Sequence, residues 1–586
     1  MTYFKKETLK HFAILAIITL PIFLSGLFNH SLWTPDEPRV AEIGREMAIT
    51  GNWAVPMLNR KPFLESPPLY YGILALTFRA FGEASDGIAR IPSAFFAFAT
   101  VIVLFFTANH IFGPRAALLS GFILATTGEY FRVAHWIIVD NALTFFVVSA
   151  MALFITGYLS QNNRKKTFCY LLAYIASTLA FYSKGFIGIA IPGLGILLFL
   201  VMERNFKEIL QMHLWAGIII FFAMTFPWFV ELWQQAGTEY FKVFFLHNHL
   251  QRFLPAGMAV NISGAASGHH NPFYYYITEF PAGFLPWSIL LIPVLYHSFS
   301  KSGKFNNSSI LCNRGRLFAK CWFIAGIVFL SLASTKRTLY LMPIFAPVSL
   351  LTALYIDFTI TSGFLNKTGR AFHLFFSMIL LATGLCMTPV YLYLKKIYSQ
   401  SLPESFLISV PAVSFFVAAL SLAGIFYLQR MSLRKYWGSV SLSIIILFVF
   451  AMQVIAPIVD KHKSFVPFCN QIINFVPPES HLYAYQPDET LRGAVPFYTG
   501  RFLIEIQGIS KELLSKEEKI YLIIRDKRES MEKKLLSYNK FHILVKQIIG
   551  SDRALVLFVN RPVEKTITIG DELNKHRFSE KNKYVF

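Results

Sequence analysis

Charge is what this chain of 586 residues has least of, with only 15% Asp, Glu, Lys or Arg where soluble domains carry about 25%. So few charges cannot clothe a water-soluble surface of that size, which excludes a soluble enzyme. Cysteine is also scarce. Cys169, Cys312, Cys321, Cys386 and Cys469 lack paired spacing, which excludes a disulfide framework and a thiolate zinc site and leaves them as packing residues. No solenoid-type repeat and no long low-complexity linker occurs. Acids are the scarcer charge, 33 against 54 Lys and Arg, for a net +21. The bases fall in short loops between apolar blocks, not on one soluble face. That pattern sets membrane topology and suits anionic lipid head groups or phosphate-bearing substrates, and no nucleic-acid partner is expected.

What is abundant is hydrocarbon, at 55% of residues. It comes in blocks long enough to cross about 30 Å of lipid, roughly 20 helical residues at a time. Barrel strands would be shorter and alternating, so the reading is helical. Lys5, Lys6 and Lys10 precede an apolar run over 12–28, and no A-x-A-like cleavage site follows Leu27; this predicts a signal anchor with its N-terminus inside. Further spans are predicted near 91–110, 116–131, 142–160, 168–182, 186–202, 214–232, 283–299, 321–334, 339–357, 371–394, 406–428 and 437–456, roughly thirteen crossings in all. The most basic loops, 161–167, 300–320 and 429–436, then share the N-terminal side, as the positive-inside rule requires. The run Leu69 to Phe81 is short for a crossing and is expected along the interface.

An odd number of crossings places everything after Pro457 outside the cytoplasm. The expected domains are a transmembrane unit over 1–456, with outer loops near 29–90 and 233–282, and a small extracytoplasmic α/β domain over 457–586. In the latter, Lys519 to Arg525 and Ala554 to Asn560 read as strands and Asp526 to Ser537 as helix. The last fifteen residues are charged and expected to be mobile.

Polar residues beside the spans carry the chemistry. Asp36 and Glu37 follow the first span in Trp33-Thr34-Pro35-Asp36-Glu37-Pro38-Arg39, and Asp140 ends an apolar stretch. Capping and solvation are the bland readings of such acids; an ionisable group at membrane depth is by default functional. The topology puts Asp36 and Asp140 on one outer face, together with Lys184, Lys336 and Arg337 in tight interspan loops and with Lys395 and Lys396. Bases on that face call for anionic company, and a lipid phosphate or pyrophosphate fits, gripped by Arg and attracted by Lys. Snorkelling to head groups is the alternative, above all for Lys395 and Lys396. The loop over 233–282 holds His247, His249, Arg252, His269, His270 and an aromatic cluster from Phe273 to Tyr276. Histidine with Glu65 suits a divalent ion such as zinc, magnesium or manganese, and loop histidines are otherwise solvated. The aromatics fit an interface belt or a stacking surface for sugar or isoprene.

These segments resemble the polyprenyl-phosphate-dependent membrane glycosyltransferases that include the lipid A aminoarabinose transferases and the protein O-mannosyltransferases. The resemblance rests on Trp33 to Arg39 followed by Ala41-Glu42-Ile43 and Arg45-Glu46-Met47, on Gly51-Asn52-Trp53, and on Glu65 to Tyr71. It continues through Arg90-Ile91-Pro92-Ser93, Asp140, Lys184-Gly185, His249 to Phe253, Pro272 to Tyr276, and Lys336 through Pro343 with Pro347. It covers most of the first 350 residues and is closer to the lipid A branch. The implied fold is GT-C-like, in a bacterial inner membrane with the active site facing the periplasm.

The implied reaction is an inverting transfer of a sugar from polyprenyl (undecaprenyl) phosphate to lipid A, another lipopolysaccharide component, a glycan or a protein. Asp36 is the candidate base, with Glu37 beside it and Asp140 supporting. Lys184, Arg252, Lys336 and Arg337 are the candidate phosphate ligands, Arg39, Tyr275 and Tyr340 position substrate, and Glu65 with His249 is the implied metal pair. The family commonly has Lys where this chain has Ser66, so Lys184 or Arg337 is expected to carry more of the phosphate charge. The alternatives are a protein O-glycosyltransferase and, from another class, a lipid-linked sugar flippase. A flippase should spread charge through the midplane of related halves, whereas here it gathers at one face.

Overall fold

The computed structural model describes residues 2–242, 244, 271–299, 309–397, 406–509, 518–527, 530–538, 540–549, 553–562 and 567–569. Helix covers most of each segment predicted as a span, but 116–131 is interrupted at residues 126–127 and 283–299 at residues 284–286. α1 (Thr2–Leu24) enters first, and α2 (Asp36–Thr50) then opens a loop excursion containing the hairpin β1 (Met57–Leu58) and β2 (Lys61–Pro62), and α3 (Leu69–Phe81). The bundle continues with α4 (Asp86–Phe112), α5 (Pro114–Ala125), α6 (Gly128–Ala134), α7 (Asp140–Tyr158), α8 (Asn163–Lys184), α9 (Ile187–Glu203), α10 (Lys207–Gln211) and α11 (Leu214–Lys242). After it come α12 (Tyr275–Gly283), α13 (Leu291–Phe299), α14 (Ile310–Leu332), α15 (Met342–Ser362), α16 (Lys367–Ile397), α17 (Phe406–Gln429), α18 (Leu433–Phe450) and α19 (Ala456–Lys463).

Among the described residues nine helices are long and apolar enough to cross a membrane, or ten if the pair at Tyr275–Gly283 and Trp287–Phe299, bent by 111°, is one span. α5 and α9 are apolar but shorter. The run from Leu69 to Phe81 is a separate short helix, as expected from its length. It buries Tyr70, Tyr71, Leu74, Ala75 and Phe78 while Leu76 and Phe81 stay exposed. Its crossing over α2 is close: a Cβ on Gly44 would sit 2.6 Å from the Leu74 side chain.

Helix runs unbroken from Leu433 to Lys463, through the expected boundary at 456/457. Beyond it lie α20 (Val466–Phe475), β3 (Leu482–Tyr485), α21 (Glu489–Thr499), β4 (Ile504–Ile506), β5 (Tyr521–Lys527), α22 (Ser530–Ser537), β6 (His542–Ile549), β7 (Arg553–Val559) and β8 (Ile567–Ile569). The strands form one mixed sheet in the order β4-β3-β5-β7-β6-β8. Side chains alternate between its faces. Leu522, Ile524, Val556 and Phe558 pack with Leu535 of α22. Ile523, Val545, Leu555 and Leu557 join a core that also holds Ile43, Met47, Leu74 and Phe78 from α2 and α3. The sheet and the first loop excursion thus bury one apolar mass together. The expected strands at 519–525 and 554–560 and the helix near 526–537 correspond to β5, β7 and α22, whereas the last fifteen residues lie outside the described ones.

Candidate functional site

α2 begins at Asp36 and ends where Gly51 turns left-handed at φ 70°. Asp36 is 2% exposed. One oxygen accepts from Arg39 Nη2 at 2.8 Å, three residues along the same helix face, and the other accepts from Arg337 Nη2 at 2.7 Å. Burial alone would raise the Asp36 pKa, but Arg39 and Arg337, with Lys184 further off, hold it below the usual carboxylate range. Arg337 is itself fixed by its backbone, whose carbonyl accepts from the Tyr276 hydroxyl at 3.2 Å.

Asp140 begins α7 and is fully buried. Both of its oxygens accept from the Lys184 ammonium, at 2.5 and 2.6 Å. Lys184 is the last residue of α8, and Gly185 at φ 75° turns the chain into α9. α9 then folds back so closely that a Cβ on Gly188 would lie 2.4 Å from the Ala180 backbone. This turn points the lysine at Asp140, with its ammonium 4.4 Å from the centre of the Tyr340 ring, within cation–π range. The two pairs share a field. Burial opposes charge on Arg337, but Asp36 and then Asp140 outweigh it and raise its pKa.

The remaining expected residues divide. Arg39 lies in the cluster, its Nη1 3.3 Å from Glu65 and bonded also to Glu489, its guanidinium 5.2 Å from the Phe63 ring centre. Tyr275 lies nearby, its hydroxyl 3.3 Å from Thr338 Oγ1. Glu37 does not share the site. Its side chain leaves the helix about 100° from that of Asp36 and meets the Arg90 fork at 2.9 and 3.0 Å, with the Trp33 N–H at 2.7 Å. Both partners are fully buried, so Glu37 ties the loop to α4. Lys336 also turns away, its ammonium donating to the carbonyls of Asn271, at 2.9 Å, and Ala333. His249 and Arg252 lie outside the described residues. Among the described residues no group of three metal-capable side chains is found.

Sequence reasoning missed the groups that arrive from the C-terminal part. Glu489 reaches Arg39. The Tyr498 hydroxyl donates to Asp86 at 2.9 Å and accepts from the Leu32 N–H at 2.8 Å. Asp460 accepts from the Ser31 backbone at 3.0 Å and from Trp33 Nε1 at 2.9 Å. Arg90 donates to the carbonyls of Leu27, His30 and Ser31 besides gripping Glu37. A buried arginine in an apolar helix was the one available signal.

The family described as dolichyl-phosphate-mannose-protein mannosyltransferase matches residues 9–245. The undecaprenyl phosphate-alpha-4-amino-4-deoxy-L-arabinose arabinosyl transferase of Erwinia tasmaniensis is 29% identical over 399 residues, 68% of this chain and 68% of that protein. The protein of the same name from Enterobacter sp. is 29% identical over 379 residues, 63% of this chain and 65% of its own. Among solved structures, ArnT from Cupriavidus metallidurans bound to undecaprenyl phosphate matches with a TM-score of 0.71 at 21% identity, over 93% of this chain and 97% of that one. The oligosaccharyltransferase of Archaeoglobus fulgidus matches at 0.51 and 11%, over 95% of this chain and 75% of its own. The chain therefore resembles the polyprenyl-phosphate-dependent membrane glycosyltransferases that include the aminoarabinose transferases and the protein O-mannosyltransferases, and it shares the fold of ArnT.

Proposed function

We propose that the chain is an inverting glycosyltransferase that moves a sugar from undecaprenyl phosphate to lipid A or another lipopolysaccharide component. The observation that carries this reading is the pairing of Asp36 with Arg39 and Arg337 beside the Asp140–Lys184 pair. Three cations converge where two carboxylates hold them ready, and the names of the curated relatives supply the donor chemistry. In the transfer an acceptor oxygen bonds the anomeric carbon while the bond from that carbon to the phosphate oxygen breaks. The phosphate keeps the electron pair, and Lys184 and Arg337 stabilise the charge it gains. Arg252 is a further candidate for that role.

Two arginines on Asp36 make it a weak base, because they favour its ionised form. A weak base suits an acceptor that is already ionised, such as a phosphate of lipid A, and Asp36 then orients that acceptor. Tyr340 and Tyr275 line the approach to the donor. Of the metal pair expected from the sequence, Glu65 is engaged by Arg39, so no step is routed through a metal ion.

On this reading α5, α8 and α9 cross the membrane together with the nine or ten helices that are long and apolar enough by themselves, which makes roughly thirteen crossings. The unit up to 456 then lies in a bacterial inner membrane and the sheet-bearing 457–586 segment in the periplasm, on the side of the Asp36 cluster. A second reading, transfer to protein, is favoured by the family match over residues 9–245. Mass spectrometry of envelope lipids and exported proteins from cells with wild type, Asp36→Asn and a deletion tests both. Loss of one sugar increment from lipid A in both mutants is expected. Loss from an exported protein would select the second reading, and full activity of an equally abundant Asp36→Asn would sink the catalytic assignment.

A further inference from the structure

We infer that Glu489, from the C-terminal part of the chain, is a positioning residue for the transfer, acting through Arg39; this rests on the function proposed above. The Asp488 carboxylate caps α21 by accepting from the Leu491 N–H at 2.9 Å. Glu489 and Gly493 are four residues apart and so share a face. That face is pressed onto the first turn of α2, since a Cβ on Gly493 would lie 2.6 Å from Arg39 N and from the Pro38 carbonyl group. Only a glycine allows the approach, and the approach delivers the Glu489 carboxylate to Arg39 Nη1.

The arginine is thereby fixed from several sides. Nη2 is held by Asp36, Nη1 lies between Glu65 and Glu489, and the Phe63 ring is near the guanidinium. Arg39 is 12% exposed and Glu489 36%, so the glutamate stands at the mouth of the cluster. A guanidinium is planar, and carboxylates on both terminal nitrogens set the direction of its remaining N–H groups. Without Glu489, Arg39 keeps Asp36 and Glu65 but loses the anchor on the C-terminal side, and the orientation of Asp36 loosens with it. Displacement of a group by about 1 Å at a reacting centre is enough to cost two orders of magnitude in rate.

The test uses the full chain in detergent, with undecaprenyl phosphate-α-4-amino-4-deoxy-L-arabinose as donor and lipid A as acceptor. Glu489→Gln is expected to lower kcat about 10-fold with donor KM within about 2-fold and an unchanged Tm, and Glu489→Asp to restore most of the rate. In an Arg39→Lys background, adding Glu489→Gln should cost less than about 2-fold, because the two changes break one interaction. Lys61→Gln, which removes the 2.6 Å pair with Glu505 between the hairpin and β4, should leave the rate at the wild-type value. A fully active Glu489→Gln, or a loss that multiplies independently with Arg39→Lys, overturns the positioning role. A wild type that moves no sugar from this donor to lipid A overturns aminoarabinose transfer to lipid A as the form of the proposed function on which this inference rests, and the inference with it.

Discussion

At the scale of single residues, the acids of α2 have different jobs according to the direction in which each leaves the helix. Asp36 faces two arginines and Glu37 is locked to Arg90, while Glu46 is buried, accepts the Arg60 N–H at 2.9 Å, and keeps one oxygen without a hydrogen-bond partner. Burial, and then the charge of Glu42, push the Glu46 pKa up from 4.5 to about 7. A carboxyl raised in the folded state binds its proton more tightly there than in the unfolded chain. Stability therefore falls as pH rises from the unfolded value through about 7 and is level above it. Glu46→Gln should raise the thermal midpoint at pH 8 by about 2 °C or more and leave it unchanged at pH 4, as followed by thermal unfolding in detergent. A rise at pH 4 equal to that at pH 8 would count against the linkage.

Asp36, Asp140, Lys184 and Arg337 were legible in the sequence because a charge in apolar company is costly and stands out. Glu489 was not, since an acid beside Asp488 in a polar segment reads as an ordinary helix start. Glu37 was grouped with Asp36 by sequence, but adjacency in sequence is not adjacency on a helix, and its side chain points to Arg90 instead.

At the scale of elements, hydrophobic length located most of the helices. The bend between α12 and α13 was not legible, nor were the short strands β3, β4 and β8, whose few residues give no period to read. The α2–α21 contact depends on Gly493, which no pattern distinguishes from a tolerated helical glycine. Gly493→Ala forces a methyl group against the backbone of Pro38 and Arg39, and separating the helices should cost about 1–3 kcal/mol and lower turnover together with stability. Glu489→Gln should lower turnover alone, so a thermal midpoint measured beside kcat separates the two effects.

At the scale of the whole molecule, the division at 456/457 expected from composition does not coincide with a division of the core. Hydropathy reports which faces are apolar, not which partner covers them. Ile43, Met47, Leu74 and Phe78 belong to the same apolar core as the sheet residues Ile523, Val545, Leu555 and Leu557, and they reach it through α21, where Phe497 lies 6.3 Å from Phe78 between ring centres. A fragment of residues 464–586 expressed alone should expose the face of α21 that α2 and α3 cover and aggregate, as size-exclusion chromatography would show. A monodisperse, folded fragment would mean that the sheet is self-sufficient.

Asp460, at the end of the last membrane helix, holds Ser31 across a sequence separation of 429 residues. Ribosomes deliver chains from the N-terminus, so the loop bearing Asp36, held early by Arg90, waits for this contact until nearly four-fifths of the polypeptide has been made. The order of synthesis thus makes this contact a late one. A nascent chain halted before the final helix would lack the latch on Ser31 and Trp33.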